Sequence, residues 1–143
     1  MKRYDVVGVG NALVDVLSHC DDAFLDANSV EKGIMTLIDT NRAKDLYGAM
    51  GPAQEVSGGS AANTIAGIAM LGGRTAYVGK VRDDQLGQIF AHDIRAIGAD
   101  FDTFGPASDT LETGRCMVLV SPDGERSMST YLGISEGLGP DDI

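Results

Sequence analysis

Two adjacent glycines directly before an alanine-rich stretch are the first candidates for a ligand site. Gly58 and Gly59 precede the predicted helix Ala61–Leu71, and Asn63 lies in its first turn. Glycine adopts backbone angles closed to other residues and lets a ligand approach the main chain. Ser60 is a favoured N-cap, and the start of a helix directs unpaired N–H groups outward. The stretch predicts either a site for a polar or anionic group or a tight strand-to-helix turn.

A single carboxylate inside an apolar strand is the second candidate. Asp15 lies in the run ALVDVL, where burial of a charge is costly unless another group pairs with it. Asn11 follows the predicted strand Tyr4–Gly10, at the carboxyl end where open α/β sheets place ligands. Asn11, Asp15 and the glycine pair could therefore line one crevice, with Asp15 accepting hydrogen bonds from the hydroxyls of a polyol or sugar. The alternative is an edge strand in which Asp15 faces water.

The elements that must position these residues alternate between strands and helices. Strands are predicted at Tyr4–Gly10, Ala12–Cys20, Gly33–Ile38, Thr75–Val81 and Ala99–Phe104, with a hairpin at Gly114–Leu132 that turns at Pro122–Gly124. Helices are predicted at Asp22–Asn28, Thr40–Met50, Ala61–Leu71 and Asp84–Ile97, and Glu55–Ser57 is predicted to be a short extended piece. We expect Tyr4–Gly10 to be buried. The alternation favours an α/β fold with a parallel sheet covered by helices and a separate antiparallel layer.

Composition excludes several classes of partner. The chain has 143 residues, about one domain, and a formal net charge of −10, which disfavours binding to nucleic acid or to an anionic membrane. No apolar run approaches the roughly 20 residues that a membrane-spanning helix needs. Cys20 and Cys116 are far apart in sequence, so we expect free thiols and a cytoplasmic protein.

Other site motifs are absent or incomplete. The run GVGNAL lacks the third glycine of the dinucleotide fingerprint, and no P-loop pattern occurs. His19 and His92 have no metal-ligand spacing with the cysteines, so no metal site is predicted within the chain.

The first signature of the ribokinase-like (PfkB) carbohydrate kinases resembles the run GGSAANTIAGIAMLGGRTAYVGKVRDDQLG. The matching positions are Gly58, Gly59, Asn63, Gly72, Gly79 and Gly87. The opening GNALVD, which holds Asn11 and Asp15, is similar to the family's substrate-binding opening. Within the family, the adenosine kinases are the most similar group, through FLDANSVEKGIMTLID and TGRCMVLVSPDGERSMSTYLG.

The resemblance implies a Rossmann-like parallel sheet with flanking helices and a small β-sheet lid, here incomplete at the carboxyl terminus. The core would comprise about residues 1–11 and 40–112, and the lid strands about residues 12–20, 33–38 and 113–133. The implied reaction moves the γ-phosphoryl group of ATP, with Mg²⁺, to the 5′-hydroxyl of adenosine or another nucleoside, or to a sugar hydroxyl.

The resemblance also assigns roles to individual residues. Asp15 and Asn63 would hold ribose hydroxyls near Asn11, while Gly58, Gly59 and Ser60 let the sugar lie against the start of a helix. The residues that would line the base pocket are Met35, Leu37, Cys116, Met128 and Leu132; ordinary lid packing is the alternative. Arg126 would reach phosphate charge when the lid is closed, or else is a solvated strand residue. Met35 stands where animal adenosine kinases have a more polar residue.

One departure from the family concerns the catalytic groups. The second signature, D-T-x-G-A-G-D, supplies an anion hole and the Asp that activates the acceptor hydroxyl, and it does not occur in these residues. We therefore expect the catalytic base and most of the ATP and Mg²⁺ sites to lie in a carboxyl-terminal half, and this chain to be inactive alone. Two alternatives stay open: a ribokinase- or fructokinase-like sugar kinase, and a non-catalytic binding or dimerisation module. A monomer and a lid-mediated homodimer are both compatible with the sequence.

Overall fold

The computed structural model describes residues 1–105 and 110–143. In chain order the strands are β1 (Val6–Val9), β2 (Leu13–His19), β3 (Met35–Leu37), β4 (Gln54–Gly58), β5 (Thr75–Val78), β6 (Ala99–Asp100), β7 (Gly114–Val120) and β8 (Arg126–Tyr131). The helices are α1 (Asp22–Ala27), α2 (Thr40–Ala49), α3 (Ser60–Met70) and α4 (Gln85–Ala96), and 3₁₀ turns cover Gly133–Gly137 and Pro140–Asp142. These elements form a three-stranded and a five-stranded sheet.

The three-stranded sheet is parallel, with the strand order β1-β5-β6. Helix α3 packs against β1 and β5, and the apolar core beneath it is built around Ile65, Tyr77, Phe90 and Phe101. The predicted α/β class, a parallel sheet with flanking helices, is confirmed.

The prediction that the first strand is buried is wrong. Strand β1 lies at the sheet edge, and Val7 and Val9 are 52% and 51% exposed. Side chains alternate along a strand, and a Cβ added to Gly8 would meet Ile65 of α3, so the two valines point to the opposite face. Within the described residues no helix covers that face.

The five-stranded sheet is mixed, with the order β3-β8-β7-β2-β4. Strands β7 and β8 form the predicted antiparallel hairpin, while β2 pairs in parallel with β7 and β3 with β8. Strand β4, predicted as a short extended piece, pairs antiparallel with β2 and closes the sheet on that side.

Helices α1 and α2 cover the back of the five-stranded sheet. Leu25 of α1 and Leu46 of α2 form one apolar cluster with Met117, Leu119 and Tyr131 of β7 and β8. The sequence analysis assigned both α2 and β4 to the core. In the structure α2 packs on the five-stranded sheet, and β4 is one of its strands. The division into core and lid stays a prediction.

The start of α3 differs from the prediction. Gly59, not Ser60, is the N-cap, and no side chain caps the helix. Gly59 has φ = +97°, which side chains disfavour, and a Cβ there would lie 2.6 Å from the main-chain oxygen of Asn11. The segment before β2, at Asn11, therefore lies so close to the start of α3 that position 59 requires glycine.

Candidate functional site

One face of the five-stranded sheet is open and carries most of the predicted site. Along β2 the side chains of Val14 and Val16 are buried in the core that contains α4, and Ser18 is buried on the same side. Leu13, Asp15 and Leu17 therefore point to the opposite face. The pairing register extends this open face across the sheet. It brings together these predicted site residues: Asp15, Met35, Leu37, Gly58, Cys116, Arg126 and Met128.

A single row of residues crosses all five strands through Asp15. In the order of the strands, the register aligns Leu37, Thr130, Cys116, Asp15 and Val56. Asp15 and Thr130 make this row polar near its centre, where they flank the Cys116 thiol, and the two end residues are apolar. The neighbouring row contains Leu17, Val118, Met128 and Met35. On β4 this row continues to the exposed Gln54. The open face is thus largely apolar, apart from the row through Asp15, Gln54 at the β4 edge and Arg126 at the start of β8.

Asp15 lies on an interior strand of the open face, one strand from the β4 edge. Strand β2 is flanked by β4 and β7, so the alternative of an exposed edge strand is wrong. Burial raises the pKa of the Asp15 carboxyl above its ordinary value, and the charge of Arg126 partly opposes this shift. Within the described part of the chain no group hydrogen-bonds the carboxylate. A Cβ on Gly58 would overlap the carboxylate, so the missing side chain at Gly58 gives Asp15 its place.

The start of α3 borders the same end of the face. The Tyr77 hydroxyl donates a hydrogen bond to the main-chain oxygen of Asn11 at 3.0 Å, which fixes Asn11 beside Gly59. The side chains of Asn11, Ser60 and Asn63 are exposed, and none makes a side-chain hydrogen bond to another described residue. These groups and the uncapped N–H groups of α3 are free to bind a ligand.

A cavity of about 250 Å³ lies at the β3–β8 side of the face. Leu37, Thr130 and Leu132 contribute to its wall, so two predicted base-pocket residues meet there. Cys116 and Met128 lie on the adjoining sheet face, and Met35 is 52% exposed beside them. Leu37 is 60% exposed, and its role and that of Met35 in a base pocket stay a prediction.

Thr130 was missed by the sequence reasoning. Its Oγ1 donates to Cys116 Sγ at 3.4 Å, and burial raises the pKa of that thiol. The two-residue period of a strand could have identified it, because this period places Thr130 on the same face as Met128 and Leu132. The residue type alone does not, since threonine is common in β-hairpins.

The base of the β7–β8 hairpin is attached to α4. Asp84 caps α4 by accepting from Gly87 N–H at 2.8 Å, and it accepts two hydrogen bonds from Thr113, from Oγ1 at 2.7 Å and from N–H at 3.0 Å. Ile134 N–H donates to the main-chain oxygen of Glu112 at 2.9 Å, which joins the two ends of the hairpin. These hydrogen bonds fix the base of the hairpin that carries the pocket residues of β7 and β8.

Within residues 1–105 and 110–143, no helix is long and apolar enough to cross a membrane. The same residues contain no group of three or more His, Cys, Asp or Glu side chains placed to hold a metal ion.

A family model, the pfkB family carbohydrate kinases, matches residues 27–142. The chain belongs to this family. The predicted family is thus confirmed, and the PfkB fold accounts for the parallel sheet with its flanking helices.

Solved structures place this PfkB chain near both nucleoside and sugar kinases. The adenosine kinase of Sinorhizobium meliloti superimposes with a TM-score of 0.85 and 56% identity, over 99% of this chain and 43% of that protein. A probable sugar kinase of Rhizobium etli CFN 42 gives a TM-score of 0.86 and 53% identity, over 100% and 43%. Among relatives by sequence, a probable fructokinase-4 of Arabidopsis thaliana is 36% identical over 60% of this chain and 27% of its own length. The PfkB chain spans less than half of each of these proteins.

Proposed function

We propose that this PfkB chain forms the acceptor-binding part of an ATP-dependent kinase that phosphorylates a nucleoside, with adenosine as the expected acceptor. The sugar of the nucleoside would lie between Asp15 and the start of α3, and its base would extend across β7 toward the cavity beside Leu132. Transfer would take place to the 5′-hydroxyl. The likeness to the Sinorhizobium meliloti adenosine kinase supports this acceptor class.

The observation that carries the proposal is the polar row with a cavity at its end. Adjacent strands are about 4.8 Å apart, so Asp15 on β2 and Thr130 on β8 are separated by roughly two spacings, or about 10 Å. A monosaccharide held by Asp15 covers about one strand spacing, whereas a nucleoside extends over about two. The distance from carboxylate to cavity therefore suits a nucleoside.

The residues of the row suit the two parts of this substrate. An ionised carboxylate accepts hydrogen bonds from ribose hydroxyls, and bonds to a charged group contribute about 1.5–3 kcal/mol each. The apolar walls at Leu37 and Leu132 suit the faces of an aromatic base. The family uses ATP as phosphoryl donor, but we assign neither ATP nor Mg²⁺ to residues of this chain, and Arg126 remains our candidate for contact with phosphate.

A sugar kinase is the second candidate. The similarity to a probable sugar kinase and to a probable fructokinase favours a free sugar as acceptor. In that case the cavity beside Leu132 would stay empty during the reaction. A third possibility, a non-catalytic binding module or a homodimer formed through the apolar sheet face, would use the same surface without chemistry.

A chimera tests the proposal. Residues 1–143 are joined to the remaining part of the Sinorhizobium meliloti adenosine kinase, which the chain matches over 43% of its length. We expect ATP-dependent phosphorylation of adenosine at a much higher kcat/KM than of ribose or fructose. Asp15→Asn should lower kcat/KM for adenosine ten- to a hundredfold, whereas Asp45→Asn on the exposed side of α2 should not.

Three results would contradict parts of this proposal. A preference for fructose or ribose would identify a sugar kinase. A folded chimera without activity on any acceptor would favour the non-catalytic module. Turnover by the purified 143-residue chain with ATP, Mg²⁺ and adenosine would refute the expectation that the chain is inactive alone.

A further inference from the structure

We infer that Thr130 determines which base the site accepts, by receiving a hydrogen bond from an amino group on the edge of the base. This inference rests on the proposed function and names the part of the substrate that the cavity recognises. A base with an amino group at that edge would be favoured over one with a carbonyl oxygen there.

The position of Thr130 places its hydroxyl on both the open face and the cavity. It lies on the open face in the same row as Asp15, two strands away, and it also lines the cavity beside Leu132. Its side chain is 5% exposed, so a ligand that fills the cavity meets a hydroxyl already withdrawn from water. Polar groups in such surroundings discriminate strongly, because an unmatched partner is left without a hydrogen bond.

The hydrogen bonding of Thr130 leaves its oxygen able to accept. A threonine hydroxyl has one proton and two acceptor lone pairs. The proton is directed to Cys116 Sγ at 3.4 Å, and no described residue donates to the oxygen. The group can therefore accept from a ligand and keep its bond to sulfur, whereas donating to a carbonyl would require that bond to break.

The charge around the cavity is negative. Among the described residues, the lining includes the acidic side chains of Asp39 and Glu136 and no lysine or arginine. Asp39 is already engaged, because it caps α2 by accepting from Arg42 N–H at 2.8 Å. Thr40 Oγ1 donates a 3.2 Å hydrogen bond to the Tyr131 hydroxyl, but Thr40 is only half-buried and Glu136 is exposed, so water competes for their oxygens. A negative cavity favours a hydrogen-bond donor, and Thr130 is its buried polar side chain with unused acceptor capacity.

Calorimetric titration of the 143-residue chain tests the inference with four ligands. Adenosine carries the amino group, purine riboside has hydrogen in its place, inosine has a carbonyl oxygen, and ribose has no base. We expect the wild-type chain to bind adenosine about three- to tenfold more tightly than purine riboside, and inosine most weakly of the three nucleosides.

Two substitutions separate the hydroxyl from the shape of the side chain. Thr130→Val keeps the shape and removes the hydroxyl, and it should weaken adenosine about three- to tenfold while leaving purine riboside unchanged. Thr130→Ser keeps the hydroxyl and should retain the preference for adenosine. Thr36→Val makes the same chemical change on β3 at a position paired with Ser129, on the other face, and should alter neither ligand.

The possible failures are distinguishable. If the wild-type chain binds nucleosides no better than ribose, the proposed nucleoside function fails and the inference fails with it. If adenosine binds well but purine riboside or inosine binds equally well, only the inference fails, and this comparison needs no variant. Equal weakening of adenosine and purine riboside by Thr130→Val would show that the side chain acts by packing, which also overturns the inference.

Discussion

A methyl group added at Gly58 should weaken ligand binding strongly without unfolding the chain. A Cβ on Gly58 would overlap all three atoms of the Asp15 carboxyl group. These atoms are the tip of a side chain on the open sheet face, so Asp15 can rotate away. The Gly58→Ala substitution therefore displaces the carboxylate from its place in the row and leaves the strands as they are.

The expected magnitudes differ for stability and for binding. Moving Asp15 off its rotamer costs about 0.5–1.5 kcal/mol, and replacing a strand glycine by alanine returns about 0.5–1 kcal/mol. The melting temperature should therefore change by only a few degrees, at roughly 2–4 °C per kcal/mol. Loss of a hydrogen bond between a carboxylate and a ligand hydroxyl should weaken nucleoside binding about ten- to a hundredfold.

Two other glycines in the same region provide matched controls. Gly59→Ala places a side chain at φ = +97° and 2.6 Å from a main-chain oxygen, so it should destabilise the chain by at least about 1–2 kcal/mol. Gly67 of α3 has no atom within 4 Å of an added Cβ, and Gly67→Ala should stabilise the helix by about 0.5–1 kcal/mol. Thermal melting by circular dichroism and calorimetric titration with adenosine measure both effects. Unchanged adenosine affinity in folded Gly58→Ala would refute the role given to Asp15.

Three further outcomes are expected. Leu132→Ala should raise the KM of the chimera for adenosine at least tenfold more than for ribose, since burial of a leucine side chain contributes about 1.5–3 kcal/mol; equal losses would mean that Leu132 only supports the fold. Asp15→Asn should increase the free energy of unfolding at pH 7, because burial raises the pKa of Asp15, and the gain should vanish as the pH falls below about 3.9, the unfolded value; urea titrations at both pH values test this. Asp84→Ala should cost about 0.5–2 kcal/mol for the helix cap and about 1–3 kcal/mol for the buried N–H of Thr113, whereas Asp83→Ala should cost far less in the same denaturation assay.

The sequence predicted the parts of the fold that depend on local pattern. The β7–β8 hairpin follows from alternation around the turn Pro122–Gly124, and α4 follows from apolar residues at helical spacing behind Asp84. The exposure of Val7 could not be predicted, because a valine-rich strand has the same pattern whether or not a helix covers both of its faces. The pairing of β4 with β2 was equally inaccessible, since it depends on residues about 40 positions apart.

The candidate site was predictable as a set of residue types but not as an arrangement. The costly burial of a charge singled out Asp15, and the glycine pair marked a close approach, which the structure places at Asn11 and Asp15. The row from Asp15 to Thr130 depends on the register of three strands, and a shift of one residue would turn every side chain to the other face. The N-cap of α3 could not be predicted for a similar reason. Ser60 is a favoured N-cap residue, but the close contact of Gly59 with Asn11 makes Gly59 the N-cap instead.

The parallel pairing of β2 with β7 has a consequence for how this chain is made. The register joins Leu13 to Gly114, about a hundred residues later, so β2 is synthesised long before its central partner exists. Contacts between distant residues form slowly, and unpaired apolar strands are prone to aggregate meanwhile. The β7–β8 hairpin has the only short-range strand pairing among the described strands, and it should form first and then dock onto β2. Until the ribosome has released β8, the apolar side chains of β2 have only the edge strand β4 as a sheet partner, and we expect the nascent chain to be most prone to aggregate in this interval.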